Sequence, residues 1–457
     1  MTKNKEINFN ETNFQTDWES FPEIIALSAA TRTALNDQLS DLQKKFNEPS
    51  DPKSLKKIAA ETRNSFLISD SYRILVIVEI SENPIEIIAK AIENLENNND
   101  ACWSTKNSFY GEIECPEKLA FVFPGQGSQY TYMGQDLVQN FPEARESLVT
   151  VNKAFAPSGK LTDFIYPELT GKDNEKIFME EKLRSTDIAQ PAIGAISLAM
   201  LKVLTRFGIT PDSTCGHSYG ELSALYSSGF LNEKDFFSLS VARGKYMSKA
   251  GGSGDKGSML AVKAPMNQID ELIKATGIDV VLANRNSPDQ GILSGATDAI
   301  AQMKLICKEK KIRATVLPVA AAFHSKLVQD AAEPFKAKID SVEFSDPRIP
   351  VYSNTTTAPY PDSKENAKKI LGNHLMNPVN FIEEIQNMHQ HGTSIFVEVG
   401  PRTILTGLIK SILADQTVFT MAVDASSGRR SGLTDFAKTL CMLASIAYPV
   451  KLTEWKI

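Results

Sequence analysis

The sequence predicts an α/β protein of several units, in which a small ferredoxin-like unit lies between two stretches of larger α/β core. Three observations carry that expectation. A Gly-x-Ser-x-Gly stretch, Gly216-His217-Ser218-Tyr219-Gly220, stands between a strand-like and a helix-like segment. Residues 258–317 read strand, helix, strand, strand, helix, strand, the βαββαβ order of ferredoxin-like units. A separate block over about 22–105 alternates buried-strand and helix patterns.

The chain has 457 residues, room for about two to four domains. Its 42% hydrophobic and 23% charged residues are those of an ordinary globular protein. A net charge of −6 with no Lys/Arg cluster argues against a nucleic-acid surface. The five cysteines are scattered and form no CxxC, so neither a zinc site nor a disulfide framework is expected. The first residues lack an apolar signal-like run, and no stretch of about 18 apolar residues is apparent, so a cytoplasmic location is the expectation.

In chain order, the polar residues 1–20 read as a disordered leader. A strand is expected at 23–28 and a helix at 30–46, where Leu35, Leu39, Leu42 and Phe46 fall at helical spacing. A second helix fits 52–66, with Pro52 near its first turn. The β-branched run 72–80 reads as a buried strand and 85–95 as a helix. After a connector at 106–118, residues 119–123 form a short apolar strand entering Gly125-Gln126-Gly127. A helix is read at 197–207, a strand at 212–216 and a helix at 221–228. The Gly-rich run 251–257 marks a hinge or boundary. The expected βαββαβ segments are 259–262, 266–276, near Val280, near Ile292, 297–308 and 315–318, and a later strand is placed at 395–399.

The Gly-x-Ser-x-Gly stretch is the sharpest chemical signal. A strand–turn–helix elbow leaves no room for side chains two before and two after the serine, and the turn lifts the hydroxyl clear of the sheet. The following helix aims its first amides at developing negative charge. Ser218 is therefore the expected nucleophile, and it needs a base. Of the five histidines, His217 belongs to the elbow and points away, His389 and His391 lie in polar sequence, and His374 reads as structural. His324 follows a strand and three small residues, the place where α/β sites gather, and is the favoured base. The Gly125-Gln126-Gly127 turn lacks a Walker lysine; it can present backbone N–H groups to an oxyanion.

Five ordered motifs make a resemblance: Phe-Val-Phe-Pro-Gly-Gln-Gly-Ser-Gln at 121–129, the elbow with Glu221, Val241-Ala242-Arg243-Gly244, Ala-Ala-Phe-His-Ser at 321–325 and Glu398-Val399-Gly400-Pro401. Together they resemble the malonyl-CoA:acyl carrier protein transacylase family, including acyltransferase domains of polyketide and polyunsaturated fatty-acid synthases. The resemblance spans roughly 117–430. The preceding block resembles the linker between a ketosynthase and such a domain.

The resemblance implies an α/β-hydrolase-like core at 118–253 and 319–430, a ferredoxin-like subdomain at 254–318, a linker-like α/β domain at 21–117 and a C-terminal helix and tail at 431–457. It implies a Ser218–His324 dyad, with the His374 main-chain carbonyl orienting the base. Backbone N–H groups of Gln126 and Tyr219 match the oxyanion hole, and Arg243 matches the arginine that binds a malonyl carboxylate. Phe323, before the base, implies malonyl rather than methylmalonyl, although Ala321 departs from the commoner histidine. Gln190 matches a motif near the pocket without a role. The implied activity moves a malonyl group from malonyl-CoA through a Ser218 acyl-enzyme to the phosphopantetheine thiol of an acyl carrier protein, in polyketide or fatty-acid biosynthesis. No permanent cofactor and no metal are implied, and a ketosynthase is a candidate docking partner on the N-terminal block. The alternatives are a hydrolase that edits acyl thioesters and a non-catalytic docking module.

Overall fold

A computed structural model describes residues 21–47, 54–116, 118–171, 174–250, 254–319 and 321–455. The leader at 1–20, Pro52 and the first part of the Gly-rich hinge lie outside the described residues.

Twelve strands form three four-stranded sheets among the described residues. Strands β1 (Glu23–Ala29), β2 (Tyr72–Val78), β3 (Cys102–Ser104) and β4 (Ser108–Gly111) make an antiparallel sheet in the order β1-β2-β4-β3. β4 occupies part of what the sequence suggested was a connector, and β3 precedes it. β2 stops at Val78, and Ile80, expected inside the strand, is 69% exposed. Along β1 and β2 the side chains alternate between two cores, as a period of two requires. Ile25, Leu27, Ile74 and Val76 meet the helices Arg32–Asn47 and Pro84–Asn97, while Ile24, Ala26, Leu75 and Ile77 join the main core. The Pro84–Asn97 helix starts where its residues direct: Asn83 caps the Ile85 amide at 3.0 Å, and Pro84 fills a position whose N–H would be orphaned.

The chain continues through β5 (Lys118–Phe123) and β6 (Ser213–Gly216), then β7 (Ser258–Lys263), β8 (Val280–Ser287), β9 (Gln290–Gly295) and β10 (Arg313–Val316), and ends with β11 (Thr393–Glu398) and β12 (Phe419–Ala422). β12-β11-β5-β6 is a parallel sheet. Residues Leu119–Phe123 of β5 are wholly buried, as both faces of a parallel sheet are covered. The other four strands form an antiparallel sheet in the order β10-β7-β9-β8, with helices Met266–Thr276 and Thr297–Glu309 completing the expected βαββαβ run. The last strand sits at Arg313–Val316, about two residues before its expected place.

The helix expected to begin at Ser197 begins at Thr186 and runs to Arg206, with Pro191 inside it. Its apolar composition and 21-residue length would allow it to cross a bilayer, yet 83% of its apolar window is buried inside the protein. It is a core helix, packed against helices Glu233–Lys249 and Pro142–Phe155. The C-terminal helix Gly432–Ser445 lies on the N-terminal sheet, where Arg73 Nε donates to Ser445 O at 3.1 Å. Near the C-terminus Trp455 donates to Pro22 O at 2.9 Å, its ring against Phe21 and Phe207.

Candidate active site

β6 ends at Gly216 and the helix Gly220–Ser228 begins two residues after the serine. Ser218 occupies the left-handed region at φ 51°, a strained conformation for a side-chain-bearing residue. The flanking glycines are required by space. A Cβ on Gly220 would stand 1.9 Å from Phe123 O, and one on Gly216 would stand 2.1 Å from Gly220 C. Gly125 is pressed on the same turn, its Cβ position 2.4 Å from His217 O and 3.5 Å from the Tyr219 nitrogen.

Ser218 Oγ lies 2.8 Å from His324 Nε2. On the other side of the ring, Nδ1 donates to Asn377 O at 2.9 Å and faces His374 O at 3.2 Å. Two carbonyls around Nδ1 place the proton there, which leaves the Nε2 lone pair for the serine hydroxyl. The expected His374 carbonyl is present, but that of Asn377 is nearer. Burial, with the Arg243 charge second, lowers the His324 pKa to about 3, so the ring is neutral at pH 7.

Arg243 comes from the helix Glu233–Lys249 and is 1% exposed. Its Nη2 lies 3.5 Å from Ser218 Oγ, and its guanidinium carbon is 5.8 Å from the centre of the Tyr219 ring. Among the described residues, its Nε and Nη1 are buried without an acceptor. Burial lowers its pKa to about 10, and at neutral pH it remains a cation. The site thus holds a buried positive charge with two unanswered donors beside a serine hydroxyl.

A cavity of about 260 Å³ opens on Ser218 and His324. Gln126, His217, Phe323, Asn284, Asn286 and Gln290 line it, with Met259, Ala261, Ile292, Leu317 and Val319 supplying an apolar wall. The inserted sheet therefore furnishes much of the cavity. His217 Nε2 lies 2.7 Å from Asn286 Oδ1, which also lines the cavity. The Gln126 and Tyr219 side chains are tied elsewhere: Gln126 Nε2 donates to Thr186 Oγ1 at 3.1 Å, and the Tyr219 hydroxyl bonds Ser240 Oγ. Among the described residues, no acceptor pairs with the backbone N–H of either. Gln190 sits behind Gln126, 3.4 Å from its Oε1 and 3.4 Å from Met247 Sδ, outside the cavity lining. His389 and His391 are away from the site; His389 Nδ1 bonds Thr393 O at 2.9 Å.

Sequence reasoning missed Asn354, which accepts the Ser218 N–H at 2.7 Å. It also missed Glu384, 2.7 Å from Asn354 Nδ2, and the Asn284/Asn286/Gln290 set on β8 and β9. The available signal for Asn354 was the polar run Ser353-Asn354-Thr355 directly after Val351 and Tyr352, a strand-like pair whose first member bridges Thr214 of β6.

A family model described as acyl transferase domain matches residues 120–442. The malonyl CoA-acyl carrier protein transacylase of Bacillus subtilis is 36% identical over 301 residues, which is 65% of this chain and 90% of that protein. A polyunsaturated fatty acid synthase polypeptide of a Thraustochytrium species is 31% identical over 326 residues, 69% of this chain but only 11% of that much longer protein. Among solved structures, the acyltransferase domain from module 8 of the salinomycin polyketide synthase aligns with a TM-score of 0.79 at 22% identity, over 95% of this chain and 98% of that one. That likeness shows the fold, including the N-terminal sheet.

Proposed function

The chain belongs to the acyl transferase domain family, and on that premise we propose that it moves a malonyl group from malonyl-CoA to the phosphopantetheine thiol of an acyl carrier protein. The observation that carries the choice of acyl group is Arg243. A buried guanidinium with free donors beside the nucleophile fits an acyl chain ending in a carboxylate, which it can grip through parallel N–H bonds. A neutral acyl group would leave that charge unanswered.

In this reading His324 Nε2 takes the Ser218 proton as Oγ attacks the thioester carbonyl. The oxyanion is received by the N–H groups of Gln126 and Tyr219, which have no competing acceptor among the described residues. Collapse breaks the C–S bond, and His324 returns its proton to the departing CoA sulfur. The carrier thiol then gives its proton to His324, attacks the acyl-serine, and the serine leaves with that proton. Phe323 narrows the cavity beside the base and disfavours an α-methyl group, worth about 1–3 kcal/mol of discrimination. The same reading takes the parallel sheet as an α/β-hydrolase-like core, residues 118–253 and 319–430, interrupted by a ferredoxin-like subdomain at 254–318. No permanent cofactor is needed.

Intact-protein and peptide mass spectrometry after mixing with malonyl-CoA tests the reading. A malonyl adduct on Ser218, absent in Ser218→Ala and discharged by holo-acyl carrier protein, is expected. A folded wild-type chain that forms no adduct would sink it.

A further inference from the structure

Beneath the elbow lies a polar cluster that the transfer steps do not use: Asn354, Glu221, Glu384, His374 and Tyr360, each buried. Its centre is Asn354, at 0% exposure. The side-chain oxygen accepts the Ser218 N–H at 2.7 Å, and the side-chain nitrogen donates to Gly216 O at 2.6 Å and to Glu384 Oε2 at 2.7 Å. One carboxamide thus spans the turn from the last residue of β6 to the nucleophile itself.

The orientation of that carboxamide is determined by its two backbone partners. Turned over, its nitrogen would face the Ser218 N–H and its oxygen would face the Gly216 carbonyl, two repulsive contacts in a buried place. The surroundings reinforce the observed orientation. His374 Nε2 lies 3.3 Å from the same oxygen. The Asn354 main chain is held by Glu221 Oε2, 2.8 Å from its nitrogen, and by the Asn380 N–H, 2.9 Å from its oxygen. Tyr360 donates to the other oxygen of Glu221.

We propose that Asn354 is the positioning residue of the nucleophile, clamping the Gly216 carbonyl and the Ser218 amide so that the serine stays in its left-handed conformation with Oγ on His324. The clamp also engages the Ser218 N–H, which directs the oxyanion to the amides of Gln126 and Tyr219. His374 has a part of its own: its main chain faces the base, and its ring steadies the clamp. The proposal rests on Ser218 as nucleophile but not on the identity of the acyl group.

The test is Asn354→Asp, which keeps the shape and one acceptor but removes the donor needed by Gly216 O and Glu384. Its rate of Ser218 labelling by phenylmethanesulfonyl fluoride, a probe that needs no acyl-CoA, should fall about a hundredfold. The acylation kcat should fall similarly, while KM for malonyl-CoA stays within about twofold, since Arg243 is untouched. Glu384→Gln added to Asn354→Asp restores a donor–acceptor pair and should recover at least tenfold of the labelling rate. Leu440→Ala, a cavity in the C-terminal helix, controls for lost stability: at a comparable loss of Tm it should label at the wild-type rate. Wild-type labelling in Asn354→Asp, no recovery in the double variant, or an equal loss in Leu440→Ala would each overturn the proposal. Normal sulfonyl fluoride behaviour with no malonyl adduct would instead strike only at the proposed function.

Discussion

At residue scale, the proposed choice of acyl group turns on Arg243. Its charge is held inside the protein next to Ser218 Oγ, and two of its nitrogens have no acceptor among the described residues. Removing one member of a buried, hydrogen-bonded charge pair costs about 2–5 kcal/mol. Arg243→Ala should therefore lower kcat/KM for malonyl-CoA by roughly thirtyfold to several thousandfold, while acetyl-CoA, which offers no carboxylate, should gain relative to it. Arg243→Lys keeps charge but loses the fork and should recover only part. Equal losses on both thioesters would show that the arginine serves the fold and not the acyl chain. That Ser218 and His324 would meet was legible from the elbow and from a histidine at a strand end, whereas Arg243 was legible only through the family resemblance. Asn354 was not, because its place arises only when the chain brings residue 354 under residue 218; the polar run at 353–355 marks a strand end but not that meeting. The Asn377 carbonyl was hidden for the same reason: a backbone oxygen has no side-chain signature.

At the scale of elements, the central helix Thr186–Arg206 explains how the elbow keeps its tyrosine. Gly194 faces the Tyr219 hydroxyl so closely that a Cβ there would stand 2.1 Å from it and 2.9 Å from Phe236 Cζ. The glycine is the hollow into which Tyr219 extends to reach Ser240. Gly194→Ala should push the ring back along the elbow. Overpacking of this kind costs roughly 1–3 kcal/mol, so a fall of a few degrees in Tm is expected together with slower acylation of Ser218. Unchanged acylation at lowered Tm would separate the helix from the elbow. The first eleven residues of this helix were illegible because Pro191 and Gly194 read locally as breakers, whereas burial against two neighbouring helices overrides their propensity. By contrast, the inserted unit was read nearly strand for strand. Its helices are amphipathic and its turns short, so local pattern and tertiary packing agree.

For the whole molecule, the buried titratable groups make stability depend on pH in a particular shape. His217, His324 and His374 are all held below their ordinary value of 6.5, chiefly by burial. Below pH 6.5 the unfolded chain takes up protons that the folded one refuses, so these three contribute stability that is lost as pH falls. Burial raises Glu221 to about 7 and lifts Glu384, Glu398 and Asp424 above their ordinary values. For them the folded state keeps protons that the unfolded chain releases, and their contribution is lost as pH rises through the raised values. Between about pH 6.5 and 4.5 the two sets oppose one another. Below the ordinary carboxyl range these four acids are protonated in both states, and the histidines act together with Glu82, Asp255, Asp289 and Glu365, whose carboxyls are held below their ordinary values by hydrogen bonds and neighbouring cations. Each unmatched imidazole proton then contributes about 1.4 kcal/mol per pH unit. Urea-unfolding midpoints should therefore change little from pH 6.5 to 5 and fall steeply below about 4. His374→Gln should make that acid limb shallower, since it removes one of the three imidazoles. A midpoint that drops most sharply between pH 7 and 5, or an acid limb untouched by His374→Gln, would mean that these imidazoles do not stay neutral in the folded protein, and with that the account of His324 as a neutral, ready base would fail as well.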